Sequence, residues 1–192
     1  MKNENENLKK ADELVDEGCN KLFNKKDFQG AIDKFSKAIE LKSNYDIAYS
    51  NRGAAKYFLN DTEGAMQDYN KAIELNPRNV NAYTNRATLN QKLKIYQDAI
   101  DDYTRAIEIE PTADLYDSRG WAMLELLKFQ SAVEDFNKAI ELNSNNAEYY
   151  ISRGHALLEW AGEDFHKALK IDPDNEEAIF FADLIDDMQD DV

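Results

Sequence analysis

The sequence contains little cysteine and no long apolar run. Its only cysteine, Cys19, cannot form a disulfide within the chain, which favours a reducing, cytoplasmic location. Residues 1–7 lack the apolar segment of a secretion signal, so we expect no export. No stretch reaches the about 18 consecutive apolar residues of a membrane span, and we therefore expect no membrane insertion.

Basic residues are scarce relative to acidic ones. The chain has 23 Lys and Arg residues against 38 Asp and Glu residues, which gives a formal net charge of −15. Nucleic-acid binding requires clustered cations that release counterions, so we exclude a nucleic-acid partner. The acidic surplus favours a basic or neutral protein partner. A hydrophobic share of 43% is too high for a disordered chain, and the length suits a single domain.

The sequence also lacks the usual signatures of catalysis. It contains no glycine-rich phosphate loop, no Ser or Cys nucleophile with a base nearby, and no Cys/His metal spacing. His155 and His166 are eleven residues apart, which does not suit a shared metal ion. We therefore predict that the protein is not an enzyme and has no catalytic residue, cofactor or metal site.

An internal repeat of about 34 residues runs through the chain. One alanine column steps by 34, 34, 33 and 29 residues, and one column of small residues steps by 34, 34, 33 and 34. The alanines are Ala38, Ala72, Ala106, Ala139 and Ala168, and the small residues are Cys19, Gly53, Ala87, Gly120 and Gly154. Apolar residues recur at helical spacing in both halves of each repeat. These columns predict five repeats of two helices each.

This pattern resembles the tetratricopeptide repeat (TPR) family over residues 12 to 175. The columns that carry the resemblance are an aromatic residue early in the first helix, a small residue four places later, and an alanine and an aromatic residue in the second helix. The aromatic columns are Tyr49, Tyr83, Tyr116 and Tyr150, and Tyr69, Tyr103, Phe136 and Phe165. The resemblance implies an all-α fold, a TPR α-solenoid of antiparallel helix pairs stacked into a right-handed superhelix. It also implies a concave groove that holds a peptide or helix of another protein.

The repeats set the expected boundaries. We expect a polar tail at 1–7, one TPR domain at 8–175, a capping helix at 176–190 and a short tail at 191–192. The expected repeats are 12–45, 46–79, 80–112, 113–146 and 147–175. One face of the capping helix should cover the fifth repeat through Ile179, Ala182 and Ile185.

Four repeats share an arginine before the small residue and an aspartate before the second aromatic residue. The arginines are Arg52, Arg86, Arg119 and Arg153, and the aspartates are Asp68, Asp102, Asp135 and Asp164. Repeat one has Gly18 and Lys34 instead, so the two residue types are present together or absent together. We predict structural ion pairs, because a half-buried arginine without its carboxylate is costly. The alternative is that the arginines line the groove and bind a carboxylate of the ligand.

The candidate groove lies on the first helices of the repeats. Its residues are Asn20, Asn51, Tyr57, Asn85, Thr88, Ser118, Trp121, Leu124, Ser152 and His155. Amides at Asn51 and Asn85 can hydrogen-bond the backbone of an extended peptide, and Trp121 is the expected binding hot spot. Tyr57 and Leu124 have the alternative of packing between repeats. An acidic C-terminal tail is not the expected ligand, because Asp16, Asn81 and Asn85 stand where the chaperone-adaptor branch of the family has cations.

The fifth repeat is short. The spacing from the small residue to the alanine of the second helix is 19 in repeats two to four but 14 between Gly154 and Ala168. Either a tight turn forms at Ala161-Gly162, or residues 148–171 form one helix that cannot fold back on itself. A single helix would leave an apolar stripe that a second copy could cover as a homodimer. We therefore predict an interaction module, adaptor or assembly scaffold, with a self-associating structural protein as the alternative.

Overall fold

The computed structural model describes residues 2–190, with side-chain surroundings for residues 5–187. Its described part contains only helices, so the fold is all-α as predicted. The helices form two compact units, residues 1–110 and residues 111–192. The first unit contains α1 (Lys2–Cys19), a π-helical turn (Asn20–Asn24), α2 (Phe28–Leu41), α3 (Asp46–Phe58), α4 (Thr62–Leu75), α5 (Val80–Lys92) and α6 (Tyr96–Ile109). The second unit contains α7 (Ala113–Leu124), α8 (Phe129–Leu142), α9 (Ala147–Ile171) and α10 (Glu176–Asp190).

The N-terminal end of the described chain differs from the expected polar tail. Residues 2–7 belong to α1, whose first turns are polar and exposed where described, because a helix can extend beyond its buried stripe on backbone hydrogen bonds alone. Residues 191–192 lie outside the described residues. No helix in the described part of the chain has both the length and the hydrophobicity of a membrane span.

Helix pairs pack closely where a glycine faces an aromatic ring. A Cβ added at Gly53 would lie 2.6 Å from Cε1 of Tyr69, and one added at Gly120 would lie 2.7 Å from Cε1 of Phe136. Both rings are fully or almost fully buried. These contacts leave no room for a larger side chain, so the glycine column sets the approach of α3 to α4 and of α7 to α8.

Repeat one contains one extra residue, which the π-helical turn accommodates. The Asp27 amide donates to the carbonyl of Lys21, six residues back, whereas the corresponding Asp61 amide donates to Lys56, five residues back. Gly18 therefore contacts the ring of Phe35, with an added Cβ at 2.6 Å. Our placement of Cys19 in the small-residue column is wrong by one residue. Cys19 is half-buried, and this burial raises the pKa of its thiol.

The fifth repeat has the single-helix arrangement. α9 runs for 25 residues without a turn at Ala161-Gly162, and its length is about 37 Å. Its C-terminal half packs against α10, where Ile185 lies over Gly162 and the Phe165 and Phe181 rings stack at 5.0 Å between centroids. α10 of the same chain therefore covers part of the stripe that we expected a second copy to cover.

The buried face of α10 differs from the expected one by one position. Ala178, Ala182 and Ile185 are buried, whereas Ile179 is exposed. Positions 178, 182 and 185 follow the i, i+4, i+7 spacing of one helical face, and position 179 lies about 100° away from it. The prediction for Ile179 is therefore wrong, and Ala178 takes its place.

Candidate protein-binding site

In each unit we use the name first-helix face for the side that its own first helices form. These helices are α1, α3 and α5 in the first unit, and α7 and α9 in the second. Asn51 and Asn85 are half-buried on α3 and α5. The Asn51 side-chain amide donates to Sγ of Cys19 at 3.4 Å and so links α3 to α1. The Asn85 side chain has no hydrogen bond within the described residues, which leaves its donor and acceptor for a ligand.

Three other candidate residues of the first unit have different surroundings. Asn20 is exposed at the start of the π-helical turn, and it does not share the repeat position of Asn51. Thr88 is exposed, and its hydroxyl donates to the carbonyl of Thr84 at 3.0 Å. Tyr57 packs beside Tyr69 and Leu89. Tyr57 therefore packs between repeats, which is the alternative that we gave for it above.

Trp121 is a partly exposed aromatic residue on the first-helix face of the second unit. It is 37% exposed, and its Nε1 donates to Oγ of Ser152 at 3.1 Å, which links α7 to α9. The Phe136 and His155 rings lie with their centroids 5.9 Å from that of Trp121. The indole is thus held by neighbours on two sides while part of its surface remains open to solvent.

A surface pocket of about 270 Å³ opens beside the indole of Trp121. It is lined by Trp121, Leu124, Glu125, Leu127, Phe129, His155 and Glu159. Leu124 also packs against the core cluster of Ala132, Phe136 and Ala156, so it serves inter-repeat packing and the pocket together. The lining combines apolar surface with two carboxylates, which suits a side chain with an apolar stem and a positive end.

The charge near Trp121 is negative. Asp117 is half-buried one helical turn before Trp121, and its Oδ1 is buried without a hydrogen bond within the described residues. Burial raises the pKa of Asp117, and the charges of Asp114 and Glu148 add to this, while a hydrogen bond from Ser152 opposes it. Ser118, the remaining candidate, is half-buried next to Asp117.

Arg–Asp pairs join the two helices in repeats two, three and four. In each pair Nε and Nη2 of the arginine donate to the two carboxylate oxygens of the aspartate. The distances are 2.9 and 2.7 Å for Arg52–Asp68, 2.8 and 2.6 Å for Arg86–Asp102, and 2.7 and 2.7 Å for Arg119–Asp135. The hydrogen bond to aspartate raises the pKa of each arginine. These donors are directed at the aspartate, which argues against a role in binding a ligand carboxylate.

An aromatic ring completes each of these arginine sites. The guanidinium carbon lies 5.3 Å from the ring centroid of Tyr49 in repeat two, and the corresponding distances in repeats three, four and five are 5.8, 5.6 and 5.5 Å. This cation–π contact was not predicted. Its signal is the Tyr-x-x-Arg spacing in all four repeats, which places both residues on one helical face.

Repeat one has the same pair with its charges reversed. Glu17 precedes Gly18 as Arg52 precedes Gly53, and Lys34 precedes Phe35 as Asp68 precedes Tyr69. The Lys34 ammonium donates to the Glu17 carboxylate. Our reading of repeat one as a repeat without the pair is therefore wrong, because the extra residue shifted Glu17 out of the 34-residue column.

The predicted Arg153–Asp164 pair does not form in repeat five. The two residues lie on one continuous helix, eleven residues and about 16 Å apart along its axis. Nη1 of Arg153 donates to Oδ1 of Asn137 at 2.7 Å, as Arg86 donates to Asn70 at 2.6 Å in repeat three. Within the described residues, no carboxylate contacts Arg153. The Asp164 side chain is 68% exposed and has Lys167 as its only charged neighbour there, at 3.6 Å.

Within the described residues, no group of three or more His, Cys, Asp or Glu side chains is placed to hold a metal ion. The surface of the first unit offers amides at Asn51 and Asn85, and that of the second unit offers an open indole with two carboxylates beside it. Such surfaces are suited to contact with another protein.

Stacked two-helix repeats of about 34 residues define a class of helical-repeat proteins. Residues 55–94 match a family model described as TPR repeat, and residues 80–112 and 113–146 each match a model described as tetratricopeptide repeat. These three matches, across residues 55–146, support a protein of the TPR family. Comparison with curated protein sequences finds no significant match.

Solved structures similar to this chain include TPR proteins. YrrB, described as a TPR protein with an unusual peptide-binding site, is 25% identical with a TM-score of 0.61 over 81% of this chain and 84% of its own. The TPR domain of Arabidopsis OM64 is 28% identical, with a TM-score of 0.56 over 64% of this chain and 98% of its own. Pseudomonas aeruginosa pilF is 18% identical, with a TM-score of 0.74 over 94% of this chain and 77% of its own, which shows the fold alone. The chain thus has the TPR fold of a protein–protein interaction module, a class that is in general not enzymatic.

Proposed function

We propose that the first-helix face binds a peptide or helix of a partner protein, and that the chain acts as an adaptor or assembly scaffold without catalytic activity. The observation that carries this proposal is the open indole of Trp121 beside a pocket with two carboxylates. Tryptophan is enriched at binding hot spots because it buries a large area when a partner covers it. The description of YrrB as having a peptide-binding site supports a peptide ligand.

The mechanism of binding is preorganisation. Trp121 is oriented by Ser152 and Phe136 before a ligand arrives, so binding mainly orders the ligand and costs little entropy in the protein. On the first unit, taken by itself, Asn85 and Asn51 offer amide groups to a peptide backbone.

The ligand that this surface fits is basic or neutral. A lysine or arginine side chain can place its stem on Trp121 and its charge near Glu125 and Glu159. An acidic tail would meet these carboxylates and the net charge of −15. The same face therefore disfavours an acidic C-terminal ligand.

Peptide selection followed by affinity measurement tests the proposal. A displayed random peptide library is selected on the wild-type chain, and the dissociation constant of enriched peptides is measured by fluorescence polarisation. We expect Trp121→Ala to weaken binding about 30-fold or more, the factor that corresponds to a hot-spot loss of about 2 kcal/mol. We also expect Glu125→Gln with Glu159→Gln to weaken binding of basic peptides more than of neutral ones.

The chain contains a matched control in Trp160, its second tryptophan, which lines a different pocket with Leu127, Lys128 and Phe129. Trp160→Ala should leave the affinity within about twofold. Equal losses for both tryptophan variants, or selected peptides dominated by acidic residues, would contradict the proposal.

A cytoplasmic location belongs to the same proposal. Its support is the single cysteine, which is half-buried and has a raised thiol pKa, so the fold does not depend on oxidation. Cell fractionation with an antibody against the chain tests it.

Self-association through residues 148–171 is a second candidate function. The observation that favours it is Gly154 in α9, where an added Cβ would meet no atom within 4 Å. The corresponding glycines of repeats two and four lie against aromatic rings.

A further inference from the structure

In repeats two to four, which we call the complete repeats, the second helix covers one face of the first helix. Within the described residues, the equivalent face of α9 in repeat five has no such helix over it. Tyr150 and Leu157 are 42% and 47% exposed, and Gly154 lies between them with open space above it. These residues and Ala161 follow the 3-4 spacing of a helical stripe. The open face is therefore apolar and continuous along about three turns of α9.

The complete repeats show what this face normally receives. In repeats two and four the second helix places an aromatic ring on the glycine and a carboxylate on the preceding arginine. In repeat five Arg153 keeps its contact with Asn137 and with the ring of Tyr150. The groups still missing around Arg153 and Gly154 are thus an aspartate and an adjoining aromatic ring.

The chain carries this pair of groups at Asp164 and Phe165, but they are on the same helix as Arg153 and Gly154. The distance of about 16 Å along α9 prevents contact within one chain. Asp164 is also exposed and has no arginine partner among the described residues. Only another copy of the chain can bring this Asp-Phe sequence to the open face.

We propose that two copies of the chain associate through their α9 helices, packed antiparallel about a two-fold axis near Glu159. Arg153 of each copy pairs with Asp164 of the other, and Phe165 of each copy packs on Gly154 of the other. Repeat five is then completed in both copies, each with a second helix taken from its partner. The inference builds on self-association as the second candidate function and is independent of the groove proposal.

The spacing within the chain fits this register without adjustment. In an antiparallel helix pair, the arginine and glycine are neighbours on one helix, and the aspartate and aromatic residue are neighbours on the other, as in repeats two and four. Arg153 and Asp164 lie on opposite sides of residue 159, as do Gly154 and Phe165. A two-fold axis there forms each contact twice, so the interface is self-complementary in charge and in shape.

The position of α10 leaves room for this partner. α10 covers Gly162 through Ile185, and Gly162 lies about 100° around α9 from Ala161 on the open stripe. Phe165 is only half-buried under Phe181, so part of its ring remains available to a second helix. α10 therefore packs on α9 beside the face of Tyr150, Gly154 and Leu157, and it meets the apolar stripe at Phe165.

Charge reversal tests the proposed pairing most specifically. Light scattering during gel filtration should give a wild-type mass of about twice 22.1 kDa. Arg153→Asp alone places two aspartates together, and Asp164→Arg alone places two arginines together, so each should raise the dimer dissociation constant at least tenfold. The double variant restores opposite charges and should recover the wild-type dissociation constant to within about threefold.

Controls separate the pairing from loss of fold and from groove binding. Circular dichroism monitors helicity in every variant, and Asp174→Arg, at an exposed turn, should leave the dimer unchanged. Insertion of five turn residues between Ala161 and Gly162 restores the hairpin length and should give a helical monomer. Trp121→Ala, which tests the groove, should not change the mass.

Three results would overturn the inference. They are a wild-type mass of 22.1 kDa at all concentrations, a dimer that both single charge reversals leave intact, and a double variant that stays as weak as the single ones. None of these results bears on peptide binding at Trp121.

Discussion

Repeats two to four and repeat five carry the same residues in different chain geometries. In the complete repeats, Arg86 and its equivalents meet an aspartate 16 residues later, because a short turn folds the second helix back. In repeat five the turn is five residues shorter, and Arg153 and Asp164 lie along one helix. A contact that forms within one repeat when the turn is present therefore needs a second chain when the turn is lost.

The largest effect should come from removing the aspartate of a complete repeat. Asp102→Asn leaves Arg86 half-buried without its carboxylate, and we expect a loss of about 3 kcal/mol in the free energy of unfolding. Arg86 is 24% exposed, which places the loss at the low end for a buried ion pair. Urea denaturation followed by circular dichroism measures it.

The matched control for that variant is Asp164→Asn, the same change in repeat five. At a concentration where the chain is monomeric, we expect a change within about 0.5 kcal/mol, because Asp164 is exposed. Equal losses at Asp102 and Asp164 would contradict the distinction between the repeats.

The next effect should come from the glycine column. Gly53→Leu forces a side chain against the ring of Tyr69 and the backbone of Ala65, and we expect a loss of about 2 kcal/mol. Gly154→Leu in the monomer meets open space and replaces glycine within a helix, so we expect a gain of about 0.5 kcal/mol. Thermal unfolding of the two variants at low concentration compares them, and a loss at Gly154 would show that its face is covered within the chain.

A smaller effect concerns Asp117, beside the open indole of Trp121. Because the pKa of Asp117 is raised in the folded state, its ionisation opposes folding, and this penalty is fully present above the folded pKa and absent below the unfolded pKa. Asp117→Asn should therefore raise the melting temperature at neutral pH, with the difference from wild type shrinking as the pH falls through the carboxyl range. A difference that is independent of pH would mean that ionisation is not its cause.

The smallest effect should come from the reversed pair of repeat one. Glu17 and Lys34 are partly exposed, so Glu17→Gln should lower the free energy of unfolding far less than Asp102→Asn does. Exchange of the two residues, Glu17→Lys with Lys34→Glu, should restore most of that loss in a urea titration. A loss as large as that of Asp102→Asn would remove the difference between the exposed pair and the buried pairs.

Much of the fold could be predicted from the sequence, since periodicity and repeat columns depend on local residue spacing. Helices, their pairing and the Arg–Asp contacts of repeats two to four follow from those columns. The extra residue of repeat one could not be placed, because a π-helical turn has no clear residue signature and Cys19 fits a small-residue column as well as Gly18 does. The face of α10 was missed by one position for a related reason, since both Ala178 and Ile179 are apolar.

The candidate site was less predictable than the fold. The sequence marks Trp121, but its contacts with Ser152 and His155 depend on how α7 and α9 pack. α9 is continuous through Ala161-Gly162, and its C-terminal half packs against α10, where Ile185 lies over Gly162. Contacts between segments that are distant in sequence cannot be predicted from local residue patterns.

The mass of the wild-type chain compared with that of Gly154→Leu, by light scattering at several concentrations, tests the central distinction between the complete repeats and repeat five. We expect a wild-type mass of about twice 22.1 kDa and a Gly154→Leu mass of 22.1 kDa, with equal helicity. A wild-type monomer, or the same dimer in both proteins, would contradict that distinction.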